Sequence, residues 1–256
     1  ILLFNIKEKY MRYNELTFQG RNAVLEAFRS GKTIDKLFIL DGCQDGPIKS
    51  IVREAKKTDA IINYVDKERL DRLAGTGHHQ GVVAIGAAYE YAEVEDILAA
   101  AKEKGEDPFI FILDEIEDPH NLGAIIRTAN LAGAHGVIIP KRRAVGLTAT
   151  VAKTSAGAIN YTPVAKVTNI SQTIEELKKQ GLWFVCADMG GETMYNLNLK
   201  GPIGLVIGNE GNGVSRLVKD KCDFIASIPM KGDIDSLNAS VAAGVLAYEI
   251  VRQRLN

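Results

Sequence analysis

Cysteine is nearly absent from this 256-residue chain: Cys43, Cys186 and Cys222 are the only three, and no two form a Cys-x-x-Cys pair. An odd, widely spaced set rules out a disulfide framework or a zinc ribbon and suits reduced thiols in a cytoplasmic protein. Histidine is also sparse. His78, His79, His120 and His135 show no metal-ligand spacing with cysteines or carboxylates, so no metal site is expected. Long apolar runs are missing. Stretches such as Phe109–Leu113 fall far short of a membrane span, so no membrane association is expected. The apolar start, Ile1–Ile6, lacks the basic flank and cleavage site of a signal peptide, and Met11 is a candidate native start. Neither charge is in excess. Lys and Arg number 31 against 32 Asp and Glu, a net charge of −1, so composition alone points to no nucleic-acid partner.

What is present suits an ordinary globular protein, with 46% hydrophobic and 25% charged residues in a length that allows one large or two modest domains. Residues 1–13 read as an N-terminal extension. Residues 14–90 alternate helix-like patterns (Asn22–Arg29, Pro47–Lys57, Lys67–Leu73) with strand-like ones (Leu37–Leu40, Ile61–Val65, Val82–Ala87), a small α/β unit. Residues 91–106, rich in Glu, Lys and Ala, are helical in pattern and read as a linker joining two domains, or else as the first helix of the second. From residue 107 to 256, short apolar strands alternate with helices, including one expected over Val151–Ile159. That pattern predicts an α/β fold with a parallel sheet covered on both faces.

Three segments in this second half begin where a strand stops and a helix-like pattern starts, the edge at which α/β proteins bind ligands. The first, Asn121–Ala129, has Asn121 placed as a helix N-cap and Arg127 among isoleucines, either paired internally, aimed at a pocket mouth, or simply exposed on an amphipathic helix. The second, Gly208-Asn209-Glu210-Gly211-Asn212-Gly213, holds three glycines and one charge, Glu210. It is neither the dinucleotide fingerprint nor the phosphate-binding loop, which argues against a nicotinamide dehydrogenase. The third runs from Ile228-Pro229-Met230 to Asp235-Ser236-Leu237-Asn238, with Ser236 and Asn238 suited to a helix start. One basic cluster, Lys141-Arg142-Arg143, follows the strand Val137–Pro140.

Taken together and in order, these segments closely resemble the SpoU (TrmH-type) RNA 2′-O-ribose methyltransferases of the SPOUT class. The resemblance spans residues 107–256 and includes Asn-x-Gly-x-x-x-Arg-Thr-Ala, Gly-x-Glu-x-x-Gly, Ile-Pro-Met with Ser-Leu-Asn-Ala-Ser, and Thr154–Ala158. The N-terminal segments Gly20–Val24 and His79–Ala84 resemble the substrate-binding domain of the RlmB-like members that methylate a guanosine of 23S rRNA. The resemblance implies a C-terminal deep trefoil knot, against the usual rule that chains do not thread, a homodimer, and S-adenosylmethionine as cofactor.

By residue-by-residue carry-over, Ala187, Met189, Gly208, Ile228 and Leu237 would touch the cofactor, largely through backbone groups. Arg127 would meet the ribose 2′-hydroxyl, with Asn121, Glu210, Ser236 and Asn238 ordering the site. A guanidinium stays protonated and has no acceptor, so its chemistry suits holding a phosphate and stabilising developing negative charge better than taking a proton. RNA contacts would fall on Lys141, Arg142, Arg143, His79 and Gln80. Two readings stay open beside this one: a tRNA substrate, and a non-catalytic RNA-binding protein of the same fold.

Overall fold

The computed structural model describes residues 17–58, 60–75, 78–234 and 236–255; the expected N-terminal extension, residues 1–13, lies outside them. The chain divides after Glu90 into two compact units, with Gly146–Ala149 grouped with the first.

The first unit contains β1 (Thr17–Gln19), α1 (Arg21–Arg29), β2 (Ile34–Leu40), α2 (Gly46–Ala55), β3 (Ile61–Val65), α3 (Lys67–Ala74) and β4 (Val82–Gly86). Its sheet has the order β1-β4-β2-β3; β2 and β3 run parallel, and β4 runs antiparallel to β1 and β2. Alternation along β2 sends Leu37 and Ile39 to one face, where Val24 and Phe28 of α1 and Ile48 and Ile51 of α2 cover them. Phe38 goes to the other face, against Leu70 and Ala74 of α3. Asp45 caps α2 by accepting from the Ile48 N–H, and Asp66 caps α3 by accepting from that of Arg69. α1 has no side-chain cap of its own. Its Arg21 N–H instead donates to Gln80 Oε1, 59 residues away.

The second unit contains α4 (Val94–Lys104), β5 (Phe109–Asp114), α5 (Pro119–Leu131), β6 (Gly136–Pro140), α6 (Ala149–Thr154), β7 (Val164–Val167), α7 (Ile170–Lys178), β8 (Trp183–Thr193), β9 (Ile203–Gly208), α8 (Arg216–Lys219), β10 (Phe224–Ser227) and α9 (Ala239–Arg254). Its six strands are all parallel, in the order β10-β8-β9-β5-β6-β7. Every residue of β5 and β9 is buried, as central strands covered on both faces must be. β9, reached from β8, lies beside β5, from which the chain first wound the other way. Strand order therefore reverses there, and ligands bind at such switch points.

Three expectations change here. Residues 91–106 do not form a linker. They supply α4, whose fully buried Ile97, with Val94 and Leu98 beside it, joins the core under β5 and β6. The helix expected over Val151–Ile159 stops at Thr154, because Ala156 and Gly157 take left-handed conformations and a 3₁₀ turn follows over Ala158–Asn160. Asn121 does not cap α5. Asp118 does, accepting from the His120 N–H at 2.8 Å with Pro119 filling the first turn, and this frees the Asn121 side chain.

Candidate active site

At the carboxyl ends of β8, β9 and β10 lies a pocket of about 360 Å³, within the range of small-molecule sites. Its walls come from Ala187, Asp188 and Met189 between the two paired parts of β8, from Gly208–Gly213 at the end of β9, and from Ile228, Met230, Ser236 and Leu237 after β10. All five residues expected to touch a cofactor therefore line one cavity, and Ser236 joins them.

The β8 wall is a detour in the strand. Ile225 of β10 pairs with Cys186 of β8, but the next residue, Ala226, pairs with Glu192. Residues 187–191 therefore bow out of the sheet and form one side of the pocket. At the end of the detour the backbone presses against β10: a Cβ on Gly191 would lie 2.2 Å from the Ile225 carbonyl oxygen. The β9 wall is similarly tight. A Cβ on Gly208 would lie 2.1 Å from the Gly213 carbonyl carbon, so the loop can fold back only over glycine. Asn209 and Gly213 exchange backbone hydrogen bonds at 2.8 and 3.1 Å, and Asn209 Oδ1 accepts from the Gly211 N–H at 2.8 Å. The Asn209 Nδ2 ties the loop to the Glu115 carbonyl at 3.0 Å.

The three segments meet through side chains. Asn121 Nδ2 donates to Glu210 Oε1 at 2.6 Å, and Asn238 Nδ2 donates both to Asn121 Oδ1, at 3.0 Å, and to the same Glu210 oxygen. Asn238 Oδ1 caps α9, accepting from the Ser240 N–H at 2.9 Å. A buried amide, a helix cap and a loop carboxylate thus hold one another in place. Oε2 of Glu210 takes no part in these bonds.

Arg127 sits on the third turn of α5, exposed and without a hydrogen bond or ion pair to any described residue. It is the exposed arginine of an amphipathic helix and is not paired internally. It does not line the pocket, and the guanidinium is free to meet a group from outside.

Two residues near the pocket had no sequence signal. Asp188, set between the expected Ala187 and Met189, carries a carboxylate that lines the cavity and pairs with Lys219 of α8. That hydrogen bond holds the Asp188 pKa below its ordinary value, outweighing partial burial. Asp114, at the end of β5, accepts from the Ser215 N–H at 2.7 Å and fixes the chain leaving the glycine loop.

The expected RNA contacts fare unevenly. Arg142 is exposed; Arg143 is exposed but pairs with Glu115 at 2.8 Å; Lys141 is half-buried. His79 needs correction. It is buried, its Nε2 lies 2.9 Å from Asp71 Oδ1, and its Nδ1 accepts from the Gly81 N–H. With one ring nitrogen closing the turn into β4 and the other held by Asp71 of α3, it has nothing left to offer RNA. Gln80 is exposed, but its amide and carbonyl oxygens both hold Arg21.

Residues 108–248 match the model of the SpoU rRNA methylase family, and residues 19–92 match that of the RNA 2′-O ribose methyltransferase substrate-binding domain. YacO of Bacillus subtilis (strain 168), assigned to the TrmH family of tRNA/rRNA methyltransferases, is 53% identical over 92% of this chain and 94% of its own. The crystal structure of the SpoU methyltransferase AviRb from Streptomyces viridochromogenes, in complex with AdoMet, is 23% identical. It aligns with a TM-score of 0.61 over 96% of this chain and 98% of that one, a likeness of fold. The A. aeolicus TrmH/SpoU tRNA modifying enzyme is 29% identical, with a TM-score of 0.53 over 59% of this chain and 77% of its own.

Proposed function

The chain belongs to the SpoU rRNA methylase family, and from that premise we propose that it transfers a methyl group from S-adenosylmethionine to a ribose 2′-hydroxyl of RNA, with a guanosine of 23S rRNA as the target. The observation that carries this reading is the three-way junction of Asn121, Glu210 and Asn238 at the rim of a pocket walled by glycine loops.

The pocket suits the cofactor. Ile207, Ala226, Ile228 and Leu237 give apolar surface for an adenine, and the loop backbone around Gly208–Gly213 gives hydrogen-bonding groups at close approach. Glu210 adds negative charge that favours a sulfonium and an ammonium, whereas the charge of Asp188 is offset by Lys219. S-adenosylmethionine supplies a methyl group on a sulfonium, which leaves as a neutral thioether and needs no metal.

Around that group the chain's own residues have separable tasks. The amides of Asn121 and Asn238 fix Glu210 Oε1, leaving Oε2 to accept a hydrogen bond from RNA. Arg127, charged and unpaired, binds a phosphate and stabilises negative charge developing on the ribose oxygen as the hydroxyl proton passes to solvent water. Positioning of the hydroxyl against the methyl carbon supplies much of the rate. Ser236 and Met189 close the rim. Lys141 and Arg142 add backbone contacts.

The deep trefoil knot of the family would gather the Gly208–Gly213 loop and the chain after Ile228, and both line this one pocket. A homodimer is supported by apolar side chains left exposed on α5 and α9: Leu131 at 64%, Val241 at 48% and Tyr248 at 51%. Among the described residues, no helix is long and apolar enough to cross a membrane, which is compatible with a cytoplasmic enzyme working on ribosomal RNA.

The test is transfer of labelled methyl groups from S-adenosylmethionine to 23S rRNA and to tRNA, followed by mapping of 2′-O-methyl sites. Labelling of a 23S guanosine is the expected result. Labelling of tRNA alone moves the substrate, and S-adenosylmethionine failing to bind leaves the chain an RNA-binding protein. Sedimentation of an active monomer would remove the dimer.

A further inference from the structure

A second cavity, of about 430 Å³, lies in the first unit between α2 and the edge strand β3. Its floor is apolar, from Ile48 and Val52. Along one wall stand Lys49, Arg53 and Lys56, spaced by four and then three residues so that they share one face at the end of α2. The opposite wall is Tyr64 of β3, a residue 56% exposed that lies on the α2 side of the sheet along with Ile62.

The charges of this trough are in excess of their partners. Lys49 and Lys56 pair with no described residue, and Arg53 reaches only Glu54, at 3.8 Å and with 72% of its own side chain exposed. That carboxylate is already held by Lys57 at 2.8 Å. Asp45, at the start of the helix, is bound by Arg21 and by the Ile48 N–H. A near-neutral chain therefore carries a local cationic wall facing an exposed aromatic ring. A bland solvated helix face would account for the cations, but not for an aromatic side chain held over half exposed across an apolar floor from them.

We propose that this trough is a docking site for single-stranded RNA, with one base stacked on Tyr64 and the flanking phosphates on Lys49, Arg53 and Lys56. Aromatic stacking opposite a cationic track is how single strands are held without reading a particular base. The inference rests on the reading of the chain as an RNA enzyme. It gives the first unit a contact that His79 does not supply.

The test uses the full chain and a labelled single-stranded RNA 12-mer, with affinity followed across salt concentrations. Replacing Lys49, Arg53 and Lys56 together by Ala is expected to weaken binding at least tenfold. It should also lower the salt slope by about 2, at roughly 0.7 per cation. Tyr64→Ala should cost about tenfold with the slope unchanged, whereas Tyr64→Phe keeps the affinity. S-adenosylmethionine binding, measured in parallel, should stay at the wild-type value in every variant. Wild-type RNA affinity and slope in the triple variant would overturn the proposal, as would equal losses in Tyr64→Ala and Tyr64→Phe. So would a triple variant that loses binding to a polyglutamate peptide but not to RNA, which makes the trough a protein dock. Failure of methyl transfer by the wild type, with RNA binding intact and lost in these variants, would instead count against the catalytic reading alone.

Discussion

Asn121 Nδ2 and Glu210 Oε1 lie 2.6 Å apart although 89 residues separate them in sequence. The bond ties the first turn of α5 to the glycine loop after β9, and Asn238 completes it from the start of α9. The carboxylate holds both amides through Oε1 and keeps Oε2 for RNA. Glu210→Gln keeps an oxygen for both amides, so the melting temperature should hold while kcat falls about tenfold. Glu210→Ala removes the junction, and because misplacement by about 1 Å can cost 10²-fold, kcat should fall by about that factor. Melting curves beside methyl-transfer rates separate the two effects. Wild-type turnover in the alanine variant would sink the assignment.

Gly208→Ala should be damaging in a different way. The added methyl meets backbone at 2.1 Å, where no rotamer change can relieve it, and overpacking of this kind costs about 1–3 kcal/mol. The loop must shift away from β9, so S-adenosylmethionine affinity should drop at least tenfold by calorimetry. A variant that binds with wild-type affinity would show that the loop is not part of the cofactor pocket.

Arg127 has no structural partner to lose, so Arg127→Ala should leave thermal stability within about 0.5 kcal/mol of wild type. Its effect should appear in kcat, by about 10² or more, the scale for removing one preorganised donor. Arg127→Lys keeps the charge but not the planar fork and should recover only a small part. Near-full activity in the lysine variant would remove the bidentate role.

His135 predicts a pH dependence of folding. Its ring is fully buried, Nδ1 accepts from the Phe109 N–H at 3.0 Å, and Nε2 meets Glu106 at 3.1 Å. A proton on Nδ1 would face that N–H. Burial holds the pKa below the ordinary 6.5, with Glu106 opposing part of the shift. The unfolded chain therefore binds a proton first as pH falls. The stability carried by the neutral ring is present above about pH 6.5 and is lost as pH drops towards the folded value. Melting temperature should decline between pH 7 and 5, and less steeply in His135→Gln. Parallel profiles would refute this.

The strands and helices of the second unit were legible because buried parallel strands are continuous apolar runs, as in Phe109–Leu113 and Ile203–Ile207. The detour at residues 187–191 was not, since it exists only relative to the register of β10, some forty residues on. Asn121 was misassigned as a cap because local spacing cannot tell which of several polar residues wins. Asp118 wins because Pro119 follows it. His79 looked available for the same reason, as its partner Asp71 lies on a helix the motif does not include. Local chemistry was readable, and pairing across distance was not.

The detour in β8 bears on how such a pocket can change over time. Because residues 187–191 bow out while β10 passes directly from Ile225 to Ala226, the cavity is set by a count of residues more than by their side chains. Asp188, Met189 and Gly190 can be exchanged with graded effects. Deleting one residue would pull the wall back into the sheet and shift Glu192 and Thr193 out of step with Ala226 and Ser227. Along this wall, away from the tightly packed Gly191, a change in the count of residues is rejected more strongly than a change of side chain.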